Sequence, residues 1–581
     1  MQAPDSCKII LKDAFKTYTR DQDKTLSPED TVRRFRDRLK EVDLDILQDT
    51  VRIDNGRLDI PVYFSRCGRD ARSVIGNRKQ MGKGANPRQA EASAVMELAE
   101  RFSFFSFAGN PAHFITGTHA DLKENALPFS EIAKSVHDNS EDLEAARRIF
   151  ETLPLKWTWG FDLTRRKPAL IPFDWFFAIN AFNGPSAGNC REEALLQGIC
   201  EVVERHVCAR VSRRRTETPA IRPESATDPV VLEMLQKYTV AGVTLHLSDL
   251  TLDTGIPTVG VLAYDPTTFP HKSEIVWTAG TTPHPEKALS RALTETAQLG
   301  GDFNTGASYV ASGLPKPPDL KDAAFITEAA TTVGIHDLPD LSDDNIRVEI
   351  ETLIATLSER GLSVLAIDTT HPLLGVPAFY TIIPGAHFRE RAAATSVAMF
   401  SAKLISENFP PEEAIGRLEE MEKTLPGKYY TQFYLGTARL AIGEVETAMD
   451  HLNRALDLEP NPQDLPSIHS YMGVCLKETG RYREALSVLE KGAALDAERT
   501  DIHNLMGFCH FKLKDHRKAI DCFQTVLRLD PGSAIDYANV GVNYRDLGET
   551  EKAMEYFLKA LTIDPAIDFA RENLDKLRRG G

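Results

Sequence analysis

The sequence contains no Cys-x-x-Cys pair, which excludes the commonest structural zinc frameworks. Its eight cysteines are scattered at 7, 67, 190, 200, 208, 475, 509 and 522, as expected of single thiols in a reducing compartment. No apolar run approaches the roughly 18 residues needed to cross a bilayer. The opening MQAPDSCKIILKDAFK lacks the long apolar core of a secretory signal, so a cytoplasmic location is expected. Positive charge is in short supply: 68 Lys and Arg stand against 84 Asp and Glu, for a net charge of −16. That balance argues against direct nucleic-acid binding through an overall positive field, while leaving room for a local basic pocket. Gly-x-x-x-x-Gly-Lys-Ser/Thr is absent, so a nucleotide site here is not a Walker loop. No Ser-His-Asp constellation is evident either.

What is present is an ordinary folded composition, 42% hydrophobic and 26% charged over 581 residues, long enough for several domains. The last third repeats itself. Gly473, Gly507 and Gly541 are 34 residues apart, and so are Ala485, Ala519 and Ala553, and Asp496, Asp530 and Asp564. An earlier copy with Gly436 and Ala448 is offset by 37. Each unit reads as two helices around a turn, as in GVNYRDLGETEKAMEYFLKALTIDP with its turn at Gly548. A 34-residue helix-turn-helix period of this kind resembles the tetratricopeptide repeat, whose stacked units present a surface for a peptide or protein. The alternative is that the array joins two copies of the chain as a homodimer or props up the first domain.

The segment EASAVMELAERFSFF, residues 91–105, reads as a helix built for burial, yet Glu97 and Glu100 sit one turn apart within it, and Ser93 precedes Glu97 by four residues. Positions i, i+4 and i+7 share a helix face, so all three point out of an apolar rod together. Two later segments repeat the arrangement. GNCREEALLQGICEVVERH carries Ala194, Gln197, Glu201 and Glu204, and GTTPHPEKALSRALTETAQ carries Ala288, Arg291, Glu295 and Gln298. In each, an alanine lies seven residues before the first glutamate, a polar residue four before it and another three after it. Gly84, Gly188 and Gly280 read as equivalent turn glycines ahead of the three helices.

A second pattern interleaves with the first. FDLTRRKPALIP, SDLTLDTGIP and IDTTHPLLGVP share Asp-x-Thr, a turn and a proline, flanked by apolar segments, and read as strand, turn, strand. The expected architecture is α+β: a quasi-threefold domain of helices on antiparallel-rich sheets over residues 1–400, a helical linker over 401–428, and an all-α repeat superhelix over 429–581.

If the three helix faces meet in one cavity, Glu97, Glu100, Glu201, Glu204 and Glu295 repel one another, and some hold protons at neutral pH. Bound divalent cations remove that conflict. Magnesium typically takes one or two carboxylates together with phosphates and waters, so five carboxylates fit two or more ions bridging a polyphosphate. Arg101, Arg205 and Arg291 would then meet the remaining phosphate oxygens. Earlier in the chain, DKTLSPEDTVRRF places Lys24 seven residues before Thr31, which is the expected cap of the helix after it. GNRKQMGKGANPRQA is a glycine-rich, basic approach to the first helix.

GKGANPRQAEASAVMELAERFS, GPSAGNCREEALLQGICEVVERH and RALTETAQ resemble the three signature blocks of the YcaO family, and KTLSPEDT and VLAIDTTHPLLGVPAFYTIIPG extend the resemblance from about Lys24 to residue 400. The resemblance implies ATP and Mg2+ held in a non-Walker site. It implies activation of a peptide-backbone amide: a nucleophile adds to the carbonyl carbon, the amide oxygen is phosphorylated, and loss of phosphate leaves an azoline, a thioamide or an amidine. By the same resemblance Glu97, Glu100, Glu201, Glu204 and Glu295 are magnesium ligands, and Lys24, Thr31, Arg205 and Arg291 contact the nucleotide. Ser93, Asn189 and Gln298 match motif positions, and no catalytic side chain is assigned. Thr31 stands where some members carry serine; either hydroxyl can donate.

The chain ends in KLRRGG rather than in the proline-rich tail of azoline-forming members. Members with a helical-repeat C-terminus are linked instead to β-methylthiolation of ribosomal protein S12 as accessory factors. The expected function is ATP- and Mg2+-dependent amide activation, of cyclodehydratase or thioamidation type, with the repeats recruiting a peptide or protein substrate. A separate partner protein would bind a leader peptide or deliver sulfur. The alternatives are the S12 accessory role, a non-catalytic ATP-binding scaffold, and ligation through an acyl phosphate. His206, Cys200 and Cys208 are expected to be packing residues.

Overall fold

Apolar segments bounded by Asp, Gly and Pro turns fold as strands. In chain order these are β1 (Leu47–Arg52), β2 (Val62–Cys67), β3 (Gln80–Lys83), β4 (Ile115–Gly117), β5 (Leu155–Asp162), β6 (Lys167–Pro172) and β7 (Pro185–Ala187). They continue as β8 (Ala220–Ile221), β9 (Thr244–Asp249), β10 (Thr258–Tyr264), β11 (Val276–Thr281), β12 (Thr332–Val333), β13 (Leu365–Asp368) and β14 (Ala378–Ile382). The computed structural model describes residue 4 and residues 7–76, 80–306, 308–311, 313–389 and 395–580. Of the basic approach segment, Asn77, Arg78 and Lys79 lie outside the described residues.

The strands form three sheets, ordered β1-β2-β3, β11-β10-β9-β8-β12 and β4-β5-β13-β14-β7, with β6 beside β5. All pairings are antiparallel except β8 with β12. The three Asp-x-Thr segments are the hairpins β5–β6, β9–β10 and β13–β14. Five helices matter to the site: α1 (Pro28–Glu41), α2 (Pro87–Ala108), α3 (Arg191–Arg214), α4 (Pro285–Gly300) and α5 (Ile346–Glu359). Each sheet carries one of the three related helices: α2 lies on β2 and β3, α3 on β7 and β14, and α4 on β10 and β11. The fold is therefore the α+β, quasi-threefold arrangement expected.

Local chemistry sets the helix starts. Asn86 caps α2 by accepting the Gln89 N–H, and His284 caps α4 by accepting the Glu286 N–H, each with proline at the first helical position. Ser27, rather than Thr31, caps α1: its hydroxyl oxygen accepts the Asp30 N–H at 3.1 Å. Thr31 lies one turn inside the helix and donates to the Ser27 carbonyl at 2.9 Å. Proline at position 28 needs no N–H partner, so the helix begins there and not after Thr31.

The glycine equivalence also shifts. A Cβ on Gly84 would stand 2.6 Å from the Ala90 nitrogen, and one on Gly188 2.6 Å from the Ala194 nitrogen, so these two are true counterparts. Gly280 instead abuts the Ala288 carbonyl and the Ala292 nitrogen, as Gly82 abuts the Ala90 carbonyl and the Ala94 nitrogen. Gly82 and Gly280 sit on strands that touch the helix backbone directly, two residues ahead of the turn position.

Two compact units divide the chain. The first comprises residues up to 139, 151–307 and 311–395; the second comprises 140–150, 308–310 and the chain from 396 onward. The second unit is a run of helices: α6 (Val397–Asn408), α7 (Pro411–Thr424), α8 (Tyr429–Ala441), α9 (Val445–Asp457), α10 (Leu465–Glu478) and α11 (Tyr482–Leu495). It continues through α12 (Thr500–Lys512), α13 (His516–Leu529), α14 (Ala534–Asp546), α15 (Thr550–Ile563) and α16 (Asp568–Gly580). The repeated glycines have one job. Gly436, Gly473, Gly507 and Gly541 each face a large apolar side chain sixteen residues on, at Leu452, Leu489, Phe523 and Phe557. They let the two helices of each repeat close on one another.

Candidate functional site

Helices α2, α3 and α4 bring their glutamates into one electrostatic neighbourhood. Glu97, Glu100, Glu201 and Glu295 are half-buried and Glu204 is buried. Burial pushes the Glu97, Glu100 and Glu201 carboxyls above the usual range, with Arg101, Arg205, Arg291 and Lys83 opposing and neighbouring glutamates adding to the rise. Glu201 raises Glu97 and Glu100, and Glu204 raises Glu201. The acidic faces of α2 and α3 are thus within reach of each other, although their glutamates are more than a hundred positions apart in sequence.

Basic side chains interleave with the carboxylates. Arg101 stands 3.4 Å from Glu100, and Arg205 lies 3.4 Å from Glu204 and 4.0 Å from Glu201. Arg291 approaches Glu204 Oε2 at 3.5 Å and donates to the Gln197 side-chain oxygen at 2.9 Å, joining α4 to α3. Lys83, on β3, pairs directly with Glu295. Burial lowers the Lys83 ammonium to about 7, with Arg291 repelling it further.

Among the described residues, no three His, Cys, Asp or Glu side chains gather closely enough to hold a metal ion. The donor set nevertheless fits magnesium. Every acidic group on the three faces is a glutamate, the hard oxygen ligand that this ion takes. Glu204 Oε2 is buried and accepts no hydrogen bond, and burial raises three of the carboxyls, so the site favours protons or added positive charge.

Next to this region a small pocket of about 50 Å³ opens between α3, α4, α5 and residues 22–24. Lys24, Gln197 and Arg291 line its basic and polar side, Glu193 and Glu349 its acidic side, and Leu196 and Ile346 supply apolar surface. The N-terminal segment crosses here as a strap pinned at four points. Lys16 pairs with Asp23 at 2.8 Å and with Glu349 at 2.6 Å. Asp21 receives Tyr18 and Asn86, and Lys287 donates to the Arg20 carbonyl at 2.7 Å. Thr25 donates through its hydroxyl to Glu193 at 2.6 Å.

Of the residues expected from sequence, Lys24 and Arg291 line this pocket. Arg205 stands among the α3 glutamates. Asn189 is tied to Glu193 through its backbone and side-chain N–H groups, at 2.9 and 3.1 Å. Ser93 and Gln298 are half-buried on α2 and α4. Thr31 is buried and is not among the pocket-lining residues.

Sequence reasoning missed Lys83, Glu193, Lys16 and Glu349. The lysine of the short Gly-Lys-Gly was a usable signal for Lys83, and Glu193 stands a helical turn beyond Asn189. Nothing local marks Glu349, because its partner Lys16 is 333 residues away. Cys200 and Cys208 are buried with thiols pushed up, Cys200 to about 12, in keeping with packing roles. His206 accepts the His387 N–H at 3.0 Å, and burial lowers it to about 4.

A threefold α+β domain with a carboxylate-and-arginine cavity, followed by helical repeats, defines a class of nucleotide-binding protein built outside the Walker scheme. The family model "YcaO cyclodehydratase, ATP- and Mg2+-binding" matches residues 81–387, just over half of the sequence, and the chain belongs to the YcaO family. ATP and Mg2+ are its cofactors. Residues 498–566 match the tetratricopeptide repeat, and 442–526 match anaphase-promoting complex subunit 3.

An uncharacterized protein of Methanothermobacter thermautotrophicus is 28% identical over 62% of this chain and 93% of its own length. The Escherichia coli protein described as ribosomal protein S12 methylthiotransferase accessory factor YcaO is 26% identical over 52% of this chain and 56% of its own length. A solved heterocyclase in complex with substrate and cofactor shares the fold, with a TM-score of 0.54 and 21% identity over 68% of this chain and 57% of that one. The chain thus spans little more than half the length of the last two. Among the described residues, no helix is long and apolar enough to cross a membrane.

Proposed function

We propose that the protein activates an amide of a peptide or protein substrate by ATP-dependent phosphorylation of the amide oxygen, and that its repeats recruit that substrate or a partner protein. The observation that supports this reading is the meeting of acidic faces from α2 and α3, with Glu97, Glu100 and Glu201 raised by burial, Glu97 and Glu100 further by Glu201, and Glu201 further by Glu204, against the opposing arginines. Such a set is unfavourable unless cations occupy it.

Glu97, Glu100, Glu201, Glu204 and Glu295 hold magnesium in this reading. Arg205 and Arg291 meet phosphate oxygens, Lys24 closes over them from the strap, and Asn189, Ser93 and Gln298 complete the surround. Thr31 joins as an acceptor while its hydroxyl still donates to the Ser27 carbonyl, or as a donor by releasing it. Bound Mg-ATP supplies the phosphoryl group that makes an amide oxygen a leaving group. The protein's own contribution is position and charge, as phosphoryl transfer requires. The nucleophile comes from the substrate or a partner, since burial keeps the Cys200 and Cys208 thiols protonated. In the second unit, Phe433, Tyr434 and Tyr471 line a groove suited to a peptide.

The test is ADP release with candidate peptides, together with product mass. Loss of water or exchange of oxygen for sulfur supports amide activation, whereas a new amide bond indicates ligation. ATP binding without substrate-dependent ADP release indicates a scaffold. The accessory role named for the Escherichia coli relative is the second reading, supported by that similarity. It predicts that the protein binds an S12-modifying enzyme or S12 itself.

A further inference from the structure

A groove of about 460 Å³ at the start of the repeat array joins three aromatic rings to a carboxylate. Phe433 and Tyr434 lie on α8, Tyr471 on α10 and Glu407 on α6, all within the second unit. The Phe433 ring meets Tyr434 at 5.0 Å and Tyr471 at 5.4 Å between centroids, both edge to face. Tyr434 and Tyr471 occupy equivalent places, each two residues before a repeat glycine, Gly436 and Gly473. The next two repeats carry Leu505 and Asn539 there, so the aromatic pair belongs to this end of the array.

The rings stand in a negative field. Burial and the Glu407 carboxylate raise the Tyr434 and Tyr471 phenols, so both stay neutral. Asp464 adds to the rise at Tyr434 and Asp501 at Tyr471, where Arg499 opposes it from its own pair with Asp501 at 2.7 Å. The Glu407 side chain is 53% exposed, and the Lys403 ammonium stops 3.9 Å short of it, outside hydrogen-bond reach. Residues 407–471 carry twelve acidic side chains against five basic ones. Neighbouring rings show what such surroundings attract: Lys403 stands 5.4 Å from the Phe400 centroid, and Arg417 4.3 Å from that of Phe409. Among the described residues, no lysine or arginine covers Phe433, Tyr434 or Tyr471 in this way. An aromatic face draws a cation by its quadrupole, and a carboxylate beside it strengthens the attraction.

Resting on the reading that the repeats recruit a peptide or protein, we propose that this groove binds a basic segment of that partner, seating a lysine or arginine side chain on the Phe433, Tyr434 and Tyr471 rings with Glu407 as its counter-charge. Leu440 and Ala441 line the same groove and offer apolar surface to the aliphatic stem of such a side chain. An acidic segment is repelled by Glu407, Asp464 and Asp501, and an uncharged one gains nothing from them.

The experiment is fluorescence anisotropy of the full chain, without nucleotide, with two labelled peptides. One is a threefold repeat of Ser-Arg-Gly-Ser, and the other carries citrulline, the neutral isostere, in place of each arginine. The wild-type protein is expected to bind the arginine peptide about 5- to 30-fold more tightly. In Glu407→Gln and in Tyr471→Leu that ratio is expected to fall to about twofold or less. Leucine stands at the equivalent place in the next repeat, so the second variant keeps a side chain that the array accommodates. Glu551→Gln removes one charge from an exposed position of α15 that does not line the groove, and is expected to leave the ratio at its wild-type value. Equal binding of the two peptides by the wild-type protein overturns the inference, and so does binding of neither. So does a ratio that survives both groove variants, or one that falls as far in Glu551→Gln, which would make the preference a matter of net charge. Equal binding of both peptides that is lost in Tyr471→Leu would leave recruitment by this groove standing and remove only the cation. ADP release, measured separately, judges amide activation whichever way the peptides behave.

Discussion

The Arg291 guanidinium donates to the Gln197 side-chain oxygen across 2.9 Å and, through its Nε edge, faces Glu204 at 3.5 Å. One arginine on α4 therefore holds two residues of α3 that are seven positions, two helical turns, apart. Its planar fork suits this double task, and the single ammonium of lysine does not. Arg291→Lys is expected to weaken Mg-ATP binding by about 10- to 100-fold, because the charge-assisted hydrogen bond to Gln197 is lost and, of its two arginine neighbours, Glu204 keeps only Arg205. Calorimetry on the variant checks this, and wild-type affinity would remove Arg291 from the site.

A neutral isostere separates stability from function at the glutamate cluster. Glu100 is raised well above its usual range by burial, with Glu201 and Glu97 adding repulsion. Glu100→Gln removes a charge that folding disfavours, so the magnesium-free protein is expected to melt at the same or a higher temperature. Mg-ATP affinity is expected to fall about tenfold or more, a trade-off common at functional sites. A lower melting temperature would show that Glu100 stabilises the fold through its charge.

Much of this arrangement was legible from spacing. The alanine-to-glutamate interval of seven residues occurs in α2, α3 and α4 because each alanine's backbone closely meets a glycine ahead of its helix, while the glutamates turn toward one shared electrostatic neighbourhood. Two packing constraints on one helix leave a readable period. The Asp-x-Thr hairpins and the 34-residue repeat were legible for the same reason. Thr31 was misassigned as a cap because Ser27 and Pro28 together make a stronger helix start. Gly280 was paired with Gly84 because a turn glycine and a strand glycine look alike in one dimension. Their roles differ only in which backbone atoms they approach. Lys16 and Glu349 left no trace, since an ion pair across 333 residues has no period.

The pH dependence follows from the same carboxyls. Glu349 is raised from 4.5 to about 7, mainly by burial, with Lys16 opposing. A carboxyl raised on folding binds its proton more tightly in the folded state, so its contribution to stability is full below about 4.5 and is lost as pH rises through 7. Glu97, Glu100 and Glu201 shift in the same direction. The lowered His206 and His387 act oppositely, losing stability as pH falls below 6.5. Magnesium binds the deprotonated glutamates, so the rise in melting temperature produced by Mg2+ with a non-hydrolysable ATP analogue should grow from pH 6 to pH 8. Thermal melts across that range check it. A shift that shrinks with pH would place the metal away from these carboxyls.

Two glycines of the second unit should respond with opposite signs to the same substitution. Gly507 closes α12 on α13, and a Cβ there would stand 2.8 Å from the Phe523 ring. The ring is held in the repeat core, so Gly507→Ala should destabilise the unit by about 1–3 kcal/mol, the usual cost of overpacking. Gly416 lies mid-helix in α7, exposed, with nothing within 4 Å of an added Cβ. Gly416→Ala should therefore stabilise it by about 0.5–1 kcal/mol, through the lower backbone entropy of alanine in the unfolded chain. Denaturant melts of both variants against wild type read the signs directly. If Gly507→Ala were neutral, the facing aromatic would have room to move, and the glycine period of the repeats would need a cause other than close helix approach.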